Sequence, residues 1–157
     1  MGSSSLTHLS EERDIPVDAQ KLWSIVADTK MWPRFYASPR ELLHLRAVEY
    51  LDGAKEDGLG VKRRMHILGL PSWDEECTSS REPEWLVWKG IRNPGLSSWQ
   101  QQLELVPGKG STTLRWDIYY KVNGPHPLGK LFKRTFEDLM LASLERVEKV
   151  ALESAPS

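Results

Sequence analysis

The sequence predicts an α+β fold in which a seven-stranded, curved antiparallel sheet wraps around a long C-terminal helix, with two short helices after the first strand. Three observations carry this expectation. Residues 112–122 alternate strictly, with Leu114, Trp116, Ile118, Tyr120 and Val122 on one face and Thr113, Arg115, Asp117, Tyr119 and Lys121 on the other, the pattern of a half-buried antiparallel strand. Upstream of it, strand-like runs follow one another with Gly, Pro, Asn or Asp between them. After Asn123-Gly124-Pro125 the apolar period changes from two to between three and four, and stays there almost to the end of the chain.

Each element has its own local reason. Residues 6–15 alternate loosely and read as a first strand, stopped by Pro16, which has no N–H to give a ladder. Asp18 is the expected N-cap of a helix that presents Leu22, Trp23, Ile25 and Val26 on one side. Residues 28–36, with Met31, Trp32, Phe35 and Tyr36 around Pro33, read as a second short helix. Strands are then expected at 42–50, 61–68, 73–81, 85–91, 98–106 and 112–122. Their breaks fall at Asp52-Gly53, Gly58-Leu59-Gly60, Gly69 to Pro71, Pro83, Asn93-Pro94-Gly95 and Pro107-Gly108.

The final helix is expected from about 127 to 153, with Leu131, Phe132, Phe136, Leu139, Met140, Leu144, Val147 and Val150 in its apolar stripe. At about 1.5 Å per residue such a helix spans roughly 40 Å, long enough to cover one face of the whole sheet. Residues 6–153 are read as a single ligand-binding domain, with 1–5 and 154–157 as flexible termini.

Composition excludes several function classes. The 21 basic residues nearly balance the 22 acidic ones, so no global field recruits nucleic acid or an anionic membrane. Cys77 is the lone cysteine, which rules out an internal disulfide and a thiolate zinc cluster and points to a reducing, cytoplasmic compartment. His8, His44, His66 and His126 show no metal spacing, so neither a metal nor a cofactor is expected. No apolar run approaches the roughly 18 residues of a membrane span. Met1 to Ser5 has no secretion-signal pattern, and Leu6 stands where a myristoylation motif wants Ser or Thr. What is unusual is seven tryptophans beside only three phenylalanines, which fits either an indole-rich core or an aromatic ligand wall.

Taken in order, several short motifs resemble the START-like (SRPBCC, helix-grip) superfamily, especially its polyketide cyclase/dehydrase and lipid-transport branch. They are Ile15-Pro16-Val17-Asp18 before Leu22-Trp23, Asp28…Trp32-Pro33, and Gly58-Leu59-Gly60. Glu76…Pro83-Glu84-Trp85-Leu86-Val87-Trp88 and Leu103-Glu104-Leu105-Val106-Pro107 complete the set, together with the terminal helix. The resemblance implies an internal cavity for a hydrophobic, aromatic or polyketide-like molecule, which aromatase/cyclases of this branch cyclise or dehydrate. It also implies a cavity arginine at Arg81, an entrance helix carrying Trp32-Pro33 and Tyr36, and a polar residue where this chain has Ile118.

The candidate site follows from strand parity combined with that resemblance. On 73–81, Trp73, Glu75, Cys77, Ser79 and Arg81 share one face; if it is the inner one, Glu75 and Arg81 are cavity ionisables that need partners or a ligand. On 98–106, Leu103 and Leu105 mark the inner face and bring Trp99 and Gln101 with them. Arg81, Glu75 and Gln101 are therefore the candidate catalytic groups, with Arg81 to hold an enolate or carboxylate and Glu75 as general acid or base. Trp32, Tyr36, Arg63, Trp73, Trp88, Trp99, Trp116, Ile118, Tyr120, Phe136 and Met140 are the candidate ligand wall. Of Arg63 and Arg64, only one can face inward. His66 is expected on the solvent face, and no nucleophile is supported at Cys77 or the serine pairs.

Two functions fit. One is cofactor-free cyclisation or dehydration of a bound polyketide-like molecule, in the manner of a lyase or isomerase. The other is a non-catalytic carrier of lipid or hydrophobic metabolite, favoured by Ile118. The expected partner is a hydrophobic small molecule, with no nucleic acid and no stable membrane insertion, in a monomer or homodimer.

Overall fold

In the computed structural model, which describes residues 6–41, 43–124 and 126–153, the chain runs β1 (Thr7–Ile15), α1 (Ala19–Val26), a 3₁₀ helix (Thr29–Arg34), a 3₁₀ turn (Pro39–Glu41) and β2 (His44–Tyr50). Then come β3 (Lys62–Leu68), β4 (Trp73–Arg81), β5 (Trp85–Arg92), β6 (Leu96–Pro107), β7 (Thr112–Val122) and α2 (His126–Glu153). The expected termini at 1–5 and 154–157 lie outside the described residues.

The seven strands form one antiparallel sheet in the order β1-β7-β6-β5-β4-β3-β2, a meander from β2 to β7 onto which β1 adds at the far edge. Sequential hairpins set every pairing but one, and β1 joins β7 in unbroken register from Thr7↔Tyr120 to Ile15↔Thr112. The seven-stranded α+β architecture with a long terminal helix is the one expected.

The local signals act as read. Asp18 caps α1 by accepting the Lys21 amide at 2.8 Å, and Leu22, Trp23, Ile25 and Val26 are buried. Asp28 caps the next segment, but residues 29–34 coil as a 3₁₀ helix with Pro33 inside it, and Trp32 is anchored by its indole N–H on the Val26 carbonyl at 2.8 Å. β2 starts at His44, two residues later than expected, and β6 starts two residues earlier because the shift between Leu96 and Ser98 lets it pair beyond the Asn93-Pro94-Gly95 turn.

Helix α2 lays its apolar stripe across the inner face of the sheet. Phe136, Leu139, Met140, Leu144, Val147, Val150 and Ala151 are buried against Trp99, Trp116, Tyr120 and the α1 side chains. Ser143 crosses to the Ala37 backbone, where its hydroxyl accepts the amide at 3.2 Å, and Arg146 donates to the Ala37 carbonyl at 2.7 Å. These two bonds pin the C-terminal half of α2 to the turn before β2.

Candidate ligand site and its buried polar network

β3 and β4 pair so that Arg63 faces Glu75 and Arg64 faces Asp74. Alternation then sends Arg64 to the outer face, where Asp74 receives it at 2.8 and 3.0 Å, and sends Arg63 inward. Both Arg63 and Glu75 are fully buried, 2.8 Å apart at closest. Arg63 donates Nε and Nη2 to Glu75 Oε1 at 3.1 and 2.8 Å, and Nη1 to Thr29 Oγ1 at 3.1 Å. Its guanidinium lies between two indoles, with Cζ 4.1 Å from the Trp32 ring centroid and 3.7 Å from that of Trp88.

The other carboxylate oxygen is held from β6. Trp99 Nε1 and Gln101 Nε2 each donate to Glu75 Oε2 at 2.6 Å, and Trp116 Nε1 donates to Gln101 Oε1 at 3.2 Å. Glu75 thus accepts four hydrogen bonds, two on each oxygen. A buried charge is tolerable only when paired and bonded in this manner. Thr29 extends the chain to Asp57, which accepts its hydroxyl and, at 2.9 Å, its amide.

Above this network, toward the β3–β4 turn, sits an apolar pocket. It is lined by Tyr36, Leu43, Ile67, Leu70, Trp73, Trp99, Phe136 and Leu139 and holds about 10 Å³. That is room for no more than a water molecule. The ligand-sized void expected at this place is therefore closed here, because aromatic rings fill it: Trp73 meets Trp99 edge-on at 5.1 Å, Trp99 meets Phe136 at 5.1 Å, and Phe136 meets Tyr120 at 5.0 Å. One donor on the wall is unspent, the buried Trp73 Nε1, which has no hydrogen-bond partner. Burial, and after it the nearby Glu75 charge, push the Tyr36 phenol far above its ordinary pKa, so it stands neutral on the wall.

The structure divides the sequence-derived candidates. Glu75 and Gln101 come together as expected of their faces, while Tyr36, Trp73, Trp99 and Phe136 line the pocket. Trp32, Arg63, Trp88 and Trp116 form the packed layer beneath, and Ile118, Tyr120 and Met140 are buried core. Arg81 does not join them. The register shift between Cys77 and Ser79 adds a bulge, after which parity is inverted: Ser80 stands opposite buried Leu86, and Arg81 turns outward to Glu84 at 2.7 Å. The buried cation is Arg63 instead. Sequence reading missed Leu43 and Leu70, which sit in irregular segments where no period marks a face, and Thr29 and Asp57, which matter only through Arg63. Ile67 and Leu139 carried a signal in the alternation of β3 and in the α2 stripe.

A bent antiparallel sheet gripping one long helix, with a buried aromatic and polar site between them, defines the helix-grip class. The chain belongs to the polyketide cyclase/dehydrase and lipid transport family, whose pattern matches residues 7–152. No curated protein matches the sequence. Among solved structures, the Zhui aromatase/cyclase from Streptomyces sp. R1128 superposes with a TM-score of 0.77 at 13% identity, over 98% of each chain. Norcoclaurine synthase from Thalictrum flavum gives 0.72 at 14%, again over 98% of each. A START superfamily protein from Mycobacterium smegmatis gives 0.69 at 20%, over 91% of this chain and 98% of that one. At these identities the likeness is one of fold.

Proposed function

We propose that this chain binds an aromatic, polyketide-like hydrophobic molecule between α2 and the β3–β4 end of the sheet, by opening the apolar pocket rather than by filling a permanent void. The observation that carries the reading is the wall itself: four aromatic residues and four aliphatic ones around a single unpartnered buried donor, Trp73 Nε1. Ligand pockets have this composition, mostly apolar with one or two placed polar groups. A planar guest carrying one acceptor oxygen would exchange the Trp99–Phe136 packing for its own and take the Trp73 hydrogen bond. Because the closed form must open first, apparent affinity scales with the open fraction.

Family membership supports hydrophobic ligand binding in general; cyclisation or dehydration is the finer reading. Glu75 is the group nearest to such chemistry, and its two oxygens already accept four hydrogen bonds. A general base must hold a free lone pair within reach of the substrate proton. The arrangement therefore favours a binding protein or carrier, and catalysis requires Trp99 to surrender its bond as the guest enters.

The test is calorimetric titration with 2-naphthol and with naphthalene, on the natural chain and on Trp73→Phe. The expected result is tighter binding of the naphthol, with the difference lost in Trp73→Phe. Equal, unsaturable responses to both compounds would remove the reading. A separate assay with a poly-β-ketone thioester analogue decides catalysis: product cyclised faster than in buffer, and no faster with Glu75→Gln, is the outcome that makes it an enzyme.

A further inference from the structure

The solvent side of α2 carries a groove of its own. It holds about 760 Å³ and follows the C-terminal half of the helix, with Arg13 of β1 and Pro39 of the 3₁₀ turn beside it. Leu141 and Leu152 lie in it at 50% and 49% exposure, outside the apolar stripe that packs on the sheet. Between them stand Glu145 and Lys149, both exposed. At about 100° per residue, these four side chains fall within roughly 80° of arc and span about 17 Å along the helix. Phe136, which lines the apolar pocket, leaves α2 from the opposite side, so whatever covers the groove leaves that pocket untouched.

Charge on this face is unspent. Glu148 pairs with Arg13 at 3.3 Å, and Lys133 reaches Glu137 at 4.0 Å. Among the described residues, by contrast, neither Glu145 nor Lys149 makes an ion pair, although one helical turn separates them.

The order Leu141, Glu145, Lys149, Leu152 is complementary to its own reverse. A second α2 laid antiparallel, about a two-fold axis at the level of Val147, sets Leu141 against the partner's Leu152 and Glu145 against the partner's Lys149. The symmetry makes each contact twice. A parallel alignment would put glutamate on glutamate and lysine on lysine, so the charges select the antiparallel one. Glu148 is the other acid close to such an axis, and its pairing with Arg13 offsets that charge. The face is also preformed, because Ser143 and Arg146 bond this half of α2 to the Ala37 backbone, and a rigid surface loses little freedom on docking.

We propose that the outer face of the C-terminal half of α2 is the interface of an antiparallel homodimer, in which each helix lies in the groove of the other. Two leucine contacts close its ends, and two Glu145–Lys149 pairs set its register.

Sedimentation velocity over a concentration series at low salt tests this. The natural chain should show a monomer–dimer equilibrium with a Kd of about tens of micromolar, the strength of a small interface with few apolar anchors. Glu145→Lys and Lys149→Glu should each weaken self-association at least about tenfold, by facing like charges across the axis, and leave the thermal midpoint of the dilute monomer unchanged. Mixed in equal amounts, the two variants should regain a dimer of natural strength, because every lysine then faces a glutamate. Leu141→Gln/Leu152→Gln should weaken the dimer without rescue by either charge variant. A natural chain that sediments as a monomer throughout would leave the groove to some other partner and overturn the proposal. A dimer indifferent to both charge reversals, or charge variants that stay apart on mixing, would overturn it as well.

Discussion

Arg63 and Glu75 face each other across the β3–β4 pairing with no exposed surface on either side chain, and Thr29, Trp99 and Gln101 each hydrogen-bond one or the other. Removing one partner strands the second as an uncompensated charge. Glu75→Ala is therefore expected to lower unfolding free energy by about 3–5 kcal/mol, measured by urea denaturation. Arg63→Met/Glu75→Leu, which removes both charges, should recover much of that loss. A Glu75→Ala protein as stable as the natural one would show that the pair does not organise the core.

Arg81 provides the contrast. Its ion pair with Glu84 is short, at 2.7 Å, but the side chains are 66% and 49% exposed. Exposed pairs contribute at most about 1 kcal/mol. Arg81→Ala should change neither the denaturation midpoint, beyond that small amount, nor the affinity for 2-naphthol. A large loss of naphthol binding in this variant would move the site to the outer face of β4.

These two arginines also show what the sequence made legible. Parity correctly groups Trp99, Gln101, Leu103 and Leu105 on β6, because that strand alternates without interruption across the site. It correctly carries Glu75 inward on β4 as well. It fails for Arg81 because a single extra residue at Cys77–Ser79 reverses every later side chain, and nothing in Cys77-Thr78-Ser79 announces a bulge. The void was misjudged for a volumetric reason. Curvature of the sheet does leave space over the helix, but Trp32, Trp88, Trp116, Tyr120 and Phe35 are large enough to fill it, and each is buried to within 2%. Composition had supplied both readings of the indoles, and only side-chain geometry separates a filled core from an open wall.

Phe136 lines the apolar pocket and packs on Trp99, Tyr120 and Phe132 at ring distances of 5.1, 5.0 and 5.6 Å. Phe136→Ala should cost about 3–5 kcal/mol of stability through lost contacts and the cavity left behind. It should at the same time raise affinity for 2-naphthol about tenfold, since the cost of opening is already met in the free protein. Stability and binding moving in opposite directions is the diagnostic result. If both fall together, the guest uses Phe136 as a wall and not as a plug.

Asp117 on β7 sets a pH dependence far from the pocket. Burial alone would raise its pKa, but hydrogen bonds from His8, Ser10 and Arg115, with the Arg115 charge, outweigh burial and hold it below the ordinary 3.8. His8 Nε2 lies 2.7 Å from Oδ1 and Arg115 Nε 3.0 Å from Oδ2. A carboxylate whose folded pKa is depressed binds fewer protons folded than unfolded in the acid range, so stability rises with pH there. The contribution is complete above the unfolded value near 4 and disappears as pH falls through the folded one. Asp117→Asn should therefore be less stable than the natural protein at pH 7, with the gap narrowing steadily below about pH 4 in urea denaturation series. A gap that stays constant down to acid unfolding would mean the carboxylate charge contributes nothing, and that the His8 and Arg115 side chains are placed beside Asp117 by packing alone.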